Sequence, residues 1–428
     1  MATSRTTRKN VKAKSVSKSQ PKTVPFLLEI GTEELPSAFF PKILDDLEFL
    51  AKEMFKSSRL MDDSLQMLNS SLQTFGTPRR LALVVEGVQL KQEPFLEEVI
   101  GPPKAAAYDP AGNPTKAAEG FAKSQKVPID WLKIKATPKG QYVYVDKTQP
   151  GQPAKRVLAD AIPKLLAQLY FPKAMRWNAS RVKFARPVRW IVAMLGKEVL
   201  SFEFAGVGSN RQTWGHRFPQ KKIRNISTGL KIPHASHYLE TMKKAGLVVD
   251  PGERRKLIDA QVDKLAKSAK GEVDPETRHE LTETAVYGVE SPHAIIGAFN
   301  PDFLSVPKPV LISSMKEHQG FFSLMTKDGA LLPKFIAVTN MPWGNTPLMT
   351  KGNERVLAAR LSDAQHFFKE DSKRPLHERV PALEGVLFHH KLGTVGQKVD
   401  RVGHLIGWMA EQIGRKDLDE VCRRAALL

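Results

Sequence analysis

The sequence predicts an α+β protein, with mixed strand and helix segments through its N-terminal and central parts and an all-helical region after them. Three observations carry this reading. Short apolar runs bounded by Gly, Pro, Asn and Asp recur up to about residue 225, as strands do. Between them lie amphipathic stretches with capping residues at their starts. From Gly352 onward only the helical period remains.

Order begins at VPFLLEIGTEELP, where Val24 to Ile30 reads as a buried strand and Gly31-Thr32 as the turn into a helix. Thr32 is the expected N-cap, and Glu33 and Glu34 suit a helix N-terminus. TPRRLALVVEGV (77–88) is a second strand, with Arg79 and Arg80 at its start. A Pro/Gly loop from Ile100 closes into a short helix over Thr115 to Ser124, and QYVYVDKT alternates as a strand. Residues 155–170 form an amphipathic helix with Pro163 as an internal kink or break. RPVRWIVAMLGKEVLSFEFAGV reads as a hairpin turning at Gly196-Lys197. Helical pattern fills Ser236 to Glu283, with Asp250-Pro251 starting one helix. Next come a helix, a strand, the Asp328-Gly329 turn and another strand, up to Asn340.

The domain reading is a basic tail over 1–23, N-terminal α/β structure over 24–225, a central α+β domain over 226–345 and a helical region over 346–428. The tail carries Arg5, Arg8, Lys9, Lys12, Lys14, Lys18 and Lys22 with no acid and almost no large apolar residue, the composition of a disordered arm. In the helix after Gly352, Leu357, Leu361, Ala364 and Phe368 form a core stripe. Arg360 and Asp363 lie on the neighbouring stripe as an expected i,i+3 ion pair.

Composition narrows the function classes. With 41% hydrophobic and 26% charged residues, the chain is of the soluble globular type, and no run reaches the roughly 18 apolar residues a membrane helix needs. One cysteine, Cys422, excludes an internal disulfide framework and suits a reducing cytosol. The net charge of +20 favours a polyanionic partner. There is no GxxxxGK[ST] loop, HExxH, GxSxG or His-Asp dipeptide, so no catalytic centre and no metal site are expected. Adjacent His389 and His390 cannot share a helix face. Lys173 to Arg224 holds twelve Lys/Arg against two acids, interleaved with Trp177, Phe184, Trp190, Trp214 and Phe218. Basic groups can hold phosphates while aromatics stack on bases or pack a core. The RNA-contact candidates, chosen by charge, are Arg79, Arg80, Lys173, Arg176, Arg186, Arg189, Arg211 and Arg217.

Several stretches, taken in order, resemble the beta subunit of bacterial heterotetrameric glycyl-tRNA synthetase. They are LLEIGTEELP (27–36), TPRRLAL (77–83), GPPKAAAYDPAGNPTKAAEGFAKS (101–124), PKAMRWN (172–178), FARPVRWIVAMLG (184–196), GHRF (215–218), SSMKEHQGFFSL (313–324), GNERVLAARLSDAQHFF (352–368) and FHHKLGTVGQKVDR (388–401). The resemblance implies a tRNA-binding accessory subunit of glycine–tRNA ligase. ATP and Mg would act at the active site of a separate alpha subunit, and this chain would bind no cofactor itself. The implied partners are the alpha subunit in an α2β2 tetramer and tRNA(Gly), in the bacterial cytoplasm, with no membrane.

The resemblance also implies an HD-like domain starting near Phe388, here without the His-Asp pair that would supply metals, and hence without hydrolase activity. Family members are longer and carry a C-terminal anticodon-binding domain. Because VCRRAALL ends without a C-cap or polar tail, a fragment or a split gene product is expected; the DNA downstream of Leu428 decides that. The rival readings are a free-standing RNA-binding protein and an HD-derived phosphohydrolase.

Overall fold

A computed structural model describes residues 23–61, 71–138, 140–218 and 229–427. The expected basic tail, and Lys221, Lys222 and Arg224, lie outside the described residues. The chain divides into two units, one of residues 23–258, 283–292 and 340–342, the other of 259–282, 293–339 and 343–427. The architecture is α+β. Among the described residues, no helix is long and apolar enough to cross a membrane.

In the first unit a sheet is built around β1 (Thr23–Thr32). On one side β1 pairs antiparallel with β3 (Arg80–Gln89), which pairs in turn with β2 (Leu72–Thr77). On the other side it pairs antiparallel with β7 (Val188–Leu195). Short strands extend the sheet beyond β7. Because both faces are covered, these strands read as nearly continuous apolar runs. Phe26, Leu28 and Ile30 pack with helices Phe40–Ser57 and Ala154–Gln168. Leu27, Trp190, Val192 and Met194 pack on the opposite face with Tyr238 and Met242 of helix Tyr238–Lys244. Glu29 lies in the second layer, between Leu27 and Gly31, and is fully buried.

A smaller three-stranded sheet belongs to the same unit, with β6 (Gly140–Gln149) between β4 (Phe95–Pro103) and β5 (Lys133–Thr137). Helix Lys116–Gln125 covers it, and its N-cap Thr115 accepts a hydrogen bond from the Ala117 amide.

The second unit holds a four-stranded antiparallel sheet of Glu272–Val273, Phe322–Met325, Leu331–Thr339 and His293–Ala298, in that order. Phe335 and Ile295 of this sheet share a core with Leu311 and Met315 of helix Lys308–Gln319 and with Leu357 and Leu361 of helix Thr346–Ser372. The helix Val395–Gln412 starts with a capping box between Thr394 and Gln397, and helix Asp419–Leu427 follows.

Several expectations need correction. Thr32 is not an N-cap. It ends β1, pairs with Val188 and donates its amide to the Arg79 carbonyl (2.8 Å), and the first α-helix starts only at Phe40, after a 3₁₀ turn. Thr77 belongs to β2, so Pro78-Arg79 is the turn of a hairpin, and of the two arginines expected at the strand start only Arg80 stands there. The helix 154–168 runs through Pro163 without a break. A short hairpin, Leu387–His389 with Gly393–Thr394, interrupts the region expected to be only helical. In helix Thr346–Ser372 the buried stripe is Leu357 and Leu361 alone, and Phe368 is 38% exposed. Arg360 and Asp363 are both exposed and no ion pair joins them, so the expected structural pair does not form.

Candidate nucleic-acid interface

Four stretches distant in sequence meet at one end of the seven-stranded sheet. They are the end of β1 through Glu34, the Thr77–Arg80 turn, the start of β7 at Pro187–Trp190, and Thr213–Arg217. Backbone bonds tie them together: the Glu33 amide donates to the Pro187 carbonyl (3.1 Å) and the Leu35 amide to the Pro78 carbonyl (2.6 Å).

Beneath this end lies a closed polar network. Glu29, in an apolar layer, needs full pairing to remain there. Trp190 Nε1 and Thr213 Oγ1 each donate to Glu29 Oε1 at 2.5 Å, and the Tyr238 hydroxyl donates to Oε2 at 2.5 Å. Arg80 Nη1 lies 3.6 Å from the same carboxylate. Arg80 Nε donates to Glu290 Oε1 (3.0 Å), to which the Thr77 hydroxyl also donates (2.7 Å), and Arg80 Nη2 donates to the Trp214 carbonyl (3.1 Å). Burial opposes the charges, yet Glu290 and Glu29 hold Arg80 in its charged form beyond the usual range. Burial alone would raise the Glu290 carboxyl, but Arg80, the Thr77 hydroxyl and Arg79 more than offset it, and the net direction is down. Burial pushes the Tyr238 hydroxyl well up, and Glu29 pushes it further.

A second buried guanidinium belongs to the same unit. Arg254 donates to the carbonyls of Val286 (2.7 Å), Val248 (2.6 Å), Val249 (2.7 Å) and Gly76. Burial lowers it to about 10, which leaves it charged at neutral pH.

The surface of this end carries Arg79, Arg189 and Arg217. Arg189 Nε lies 3.4 Å from Glu33 Oε1, and Arg217 is paired with both Glu33 (3.4 Å) and Glu34. Arg79 is half-buried, with its guanidinium carbon 5.4 Å from the Trp190 ring centroid.

The irregular segment from Lys173 to Lys183 follows helix Ala154–Gln168 and is pinned by a bridge between Met175 and Phe184. Lys173, Arg176, Arg181 and Lys183 are all exposed, the segment has no acid, and none of the four is in an ion pair among the described residues. Arg176 Nε donates to the Arg181 carbonyl (3.2 Å), which holds the segment folded on itself. Here the chain offers positive charge that no acid among the described residues neutralises.

The eight sequence candidates therefore separate. Lys173 and Arg176 stand in the exposed basic segment. Arg186 and Arg211 are half-buried and donate to the carbonyls of Ala185 (2.9 Å) and Lys197 (2.8 Å). Arg189 and Arg217 are exposed but matched by acids. Arg80 is corrected: fully buried and committed to Glu290, it is a core residue and presents nothing to a ligand. The interleaved aromatics are mainly core as well. Phe184 and Trp190 are buried, Trp177 and Trp214 are half-buried, and Phe218 is exposed. Sequence reasoning missed Glu29 and Glu290. Glu29 had a signal, a lone acid inside the apolar run LLEI, whereas Glu290 had none. It also misread Glu33 and Glu34, which pair with arginines and begin no helix.

A family model described as the glycyl-tRNA synthetase beta subunit matches residues 26–428. The glycine–tRNA ligase beta subunit of Citrifermentans bemidjiense is 41% identical over 400 residues, which covers 94% of this chain and 56% of that protein. The corresponding subunit of Geobacter sp. strain M21 gives the same values. That of Desulforamulus reducens is 40% identical over 405 residues, again 94% of this chain and 56% of its own length. The chain spans little more than half the length of these relatives.

Proposed function

Since the chain belongs to the glycyl-tRNA synthetase beta subunit family, we propose that it is the tRNA-binding, non-catalytic part of a glycine–tRNA ligase. The ligase attaches glycine to tRNA(Gly), and ATP with Mg acts at an active site on a separate alpha subunit. This chain contributes positioning: it holds the tRNA so that the acceptor end meets the activated glycine, replacing a bimolecular encounter with an oriented one. The assembly is an α2β2 tetramer in the cytoplasm. The region from Phe388 on begins an HD-like domain with no His-Asp pair to hold metals.

The observation that carries this reading is the basic segment Lys173–Lys183, with four exposed cations and no acid. Each phosphate that such a group neutralises releases condensed counterions. The triple variant Lys173→Ala/Arg176→Ala/Arg181→Ala is expected to bind tRNA more weakly. The slope of log K against log salt should become shallower by roughly 0.7–0.9 for each phosphate no longer neutralised. Filter binding across a salt series measures both. An unchanged slope removes this segment from the interface. Glycylation with and without added alpha subunit tests the division of labour, because activity of this chain alone would refute it.

A further inference from the structure

The arginines at the end of the seven-stranded sheet differ from those of the basic segment in one respect: they already hold anions. Glu33 sits between Arg189 and Arg217, 3.4 Å from each, and Glu34 takes a second bond from Arg217. All four side chains are at least one-third exposed, so water and ligands reach them. Arg79 stands beside them in the same end and is not in an ion pair among the described residues. Its Nε is buried with no hydrogen-bond partner. Burial lowers the Arg79 guanidinium, and the like charges of Arg80 and Arg217 act in the same direction, against Glu290 and Glu34. The surface of this end thus has three guanidinium groups for two carboxylates, with the least exposed of the three left over, above a buried layer in which Arg80 is matched by Glu29 and Glu290.

We infer that this end is a phosphate seat of the RNA surface, with Glu33 and Glu34 as resident anions that a backbone phosphate of bound RNA displaces. The inference rests on the tRNA-binding reading and assigns to the two glutamates a role in deciding which RNA engages. A guanidinium fork donates to carboxylate and phosphate oxygens in the same geometry, so the glutamates keep Arg189 and Arg217 oriented for the incoming group. Exposed pairs of this kind are weak and screened by salt, so a phosphate placed at the seat exchanges with them readily. A strand that brings its phosphates elsewhere leaves the two glutamates in their ion pairs and gains nothing from these arginines.

Continuity favours RNA over an acidic protein surface. The exposed cations of Lys173–Lys183 lead along the chain through Arg186 to Arg189, a track of one sign with no acid between them, which fits a ligand of regularly repeated charge.

The test uses the full chain in filter binding to tRNA over a salt series, comparing Glu33→Gln/Glu34→Gln with a control of equal charge change, Glu86→Gln/Glu203→Gln, at two exposed acids outside the cluster. The first variant is expected to bind about five-fold tighter or more, with a slope steeper by roughly one to two units, and the control to change less than about two-fold. Adding Arg189→Ala and Arg217→Ala to the glutamine variant should abolish the gain, because a gain that runs through those arginines cannot outlast them. Three outcomes overturn the inference alone while tRNA binding stands: a gain no larger than the control's, a gain that persists without the two arginines, and a gain for poly-glutamate with none for tRNA. If neither the parent nor the glutamine variant retains tRNA, the inference and the tRNA reading fall together.

Discussion

Glu290→Ala is expected to destabilise the first unit by about 3–5 kcal/mol, the scale for removing one partner of a buried ion pair. Arg80 is fully buried, and Glu290 is its closest carboxylate, 3.0 Å from Nε. Without it the guanidinium keeps the Trp214 carbonyl and a more distant Glu29, and the Thr77 hydroxyl loses its acceptor. The loss has a reach that a surface pair would not have. Glu290 belongs to 283–292, which returns to this unit from late in the chain, and Asn340 Oδ1 fixes it through the amides of Glu290 (2.8 Å) and Ser291 (2.9 Å). Denaturant titration followed by tryptophan fluorescence reports the effect, since Trp190 belongs to the same network. An unchanged midpoint would show that Arg80 finds other partners.

The pH dependence has a defined sign. The folded Glu290 carboxyl is held below its ordinary 4.5. Its contribution is therefore complete above the unfolded value and is withdrawn as pH falls through the folded one. Stability measured from pH 7 down to pH 3 should fall less steeply in Glu290→Ala than in the parent. Tyr238 acts at the other end. With its hydroxyl held well above 10, its contribution is complete below 10 and fades as pH rises toward the folded value.

What the sequence made legible was local chemistry. The helix over Thr115 to Ser124 and the Gly196 turn are decided by neighbours a few residues away. Asp250 is another such case, accepting from the Gly252 amide at 2.7 Å. The family resemblance was legible too, because it rests on residue order. Arg80 was misread for a physical reason. In β3 it alternates with Leu81 and shares a face with Ala82 and Val84, but both faces of this strand are buried, so alternation cannot say which residue meets water. Its partner lies 210 positions away. The same holds for Glu33 and Glu34. Acids after a strand suit a helix start, and only the arrival of Arg189 and Arg217 from elsewhere in the chain gives them another role. Arg360 and Asp363 show the converse. Correct spacing on a helix makes a pair available, yet two exposed side chains gain too little from pairing to give up their freedom.

Gly31→Ala is expected to cost about 3 kcal/mol or more, although Gly31 adopts no conformation that only glycine can reach. Its φ is not in the left-handed region, so the requirement for glycine is purely steric. A β-carbon here would overlap Trp190 ring atoms Cε2, Cδ2 and Cζ2, and that ring is 4% exposed with no room to retreat. Moving it also breaks the Trp190 Nε1 bond to Glu29, leaving part of a buried carboxylate unpaired, and shifts the surface on which Arg79 rests. Stability and the phosphate seat should therefore fail together, while the salt slope contributed by Lys173–Lys183 is kept. Gly120→Ala is the matched control. It lies in helix Lys116–Gln125 with open space around it and should stabilise by about 0.5–1 kcal/mol. The decisive measurement is a double-mutant cycle with Trp190→Ala. If the collision with the indole is the cause, Gly31→Ala adds little once the ring is gone, and full additivity of the two costs would refute this account.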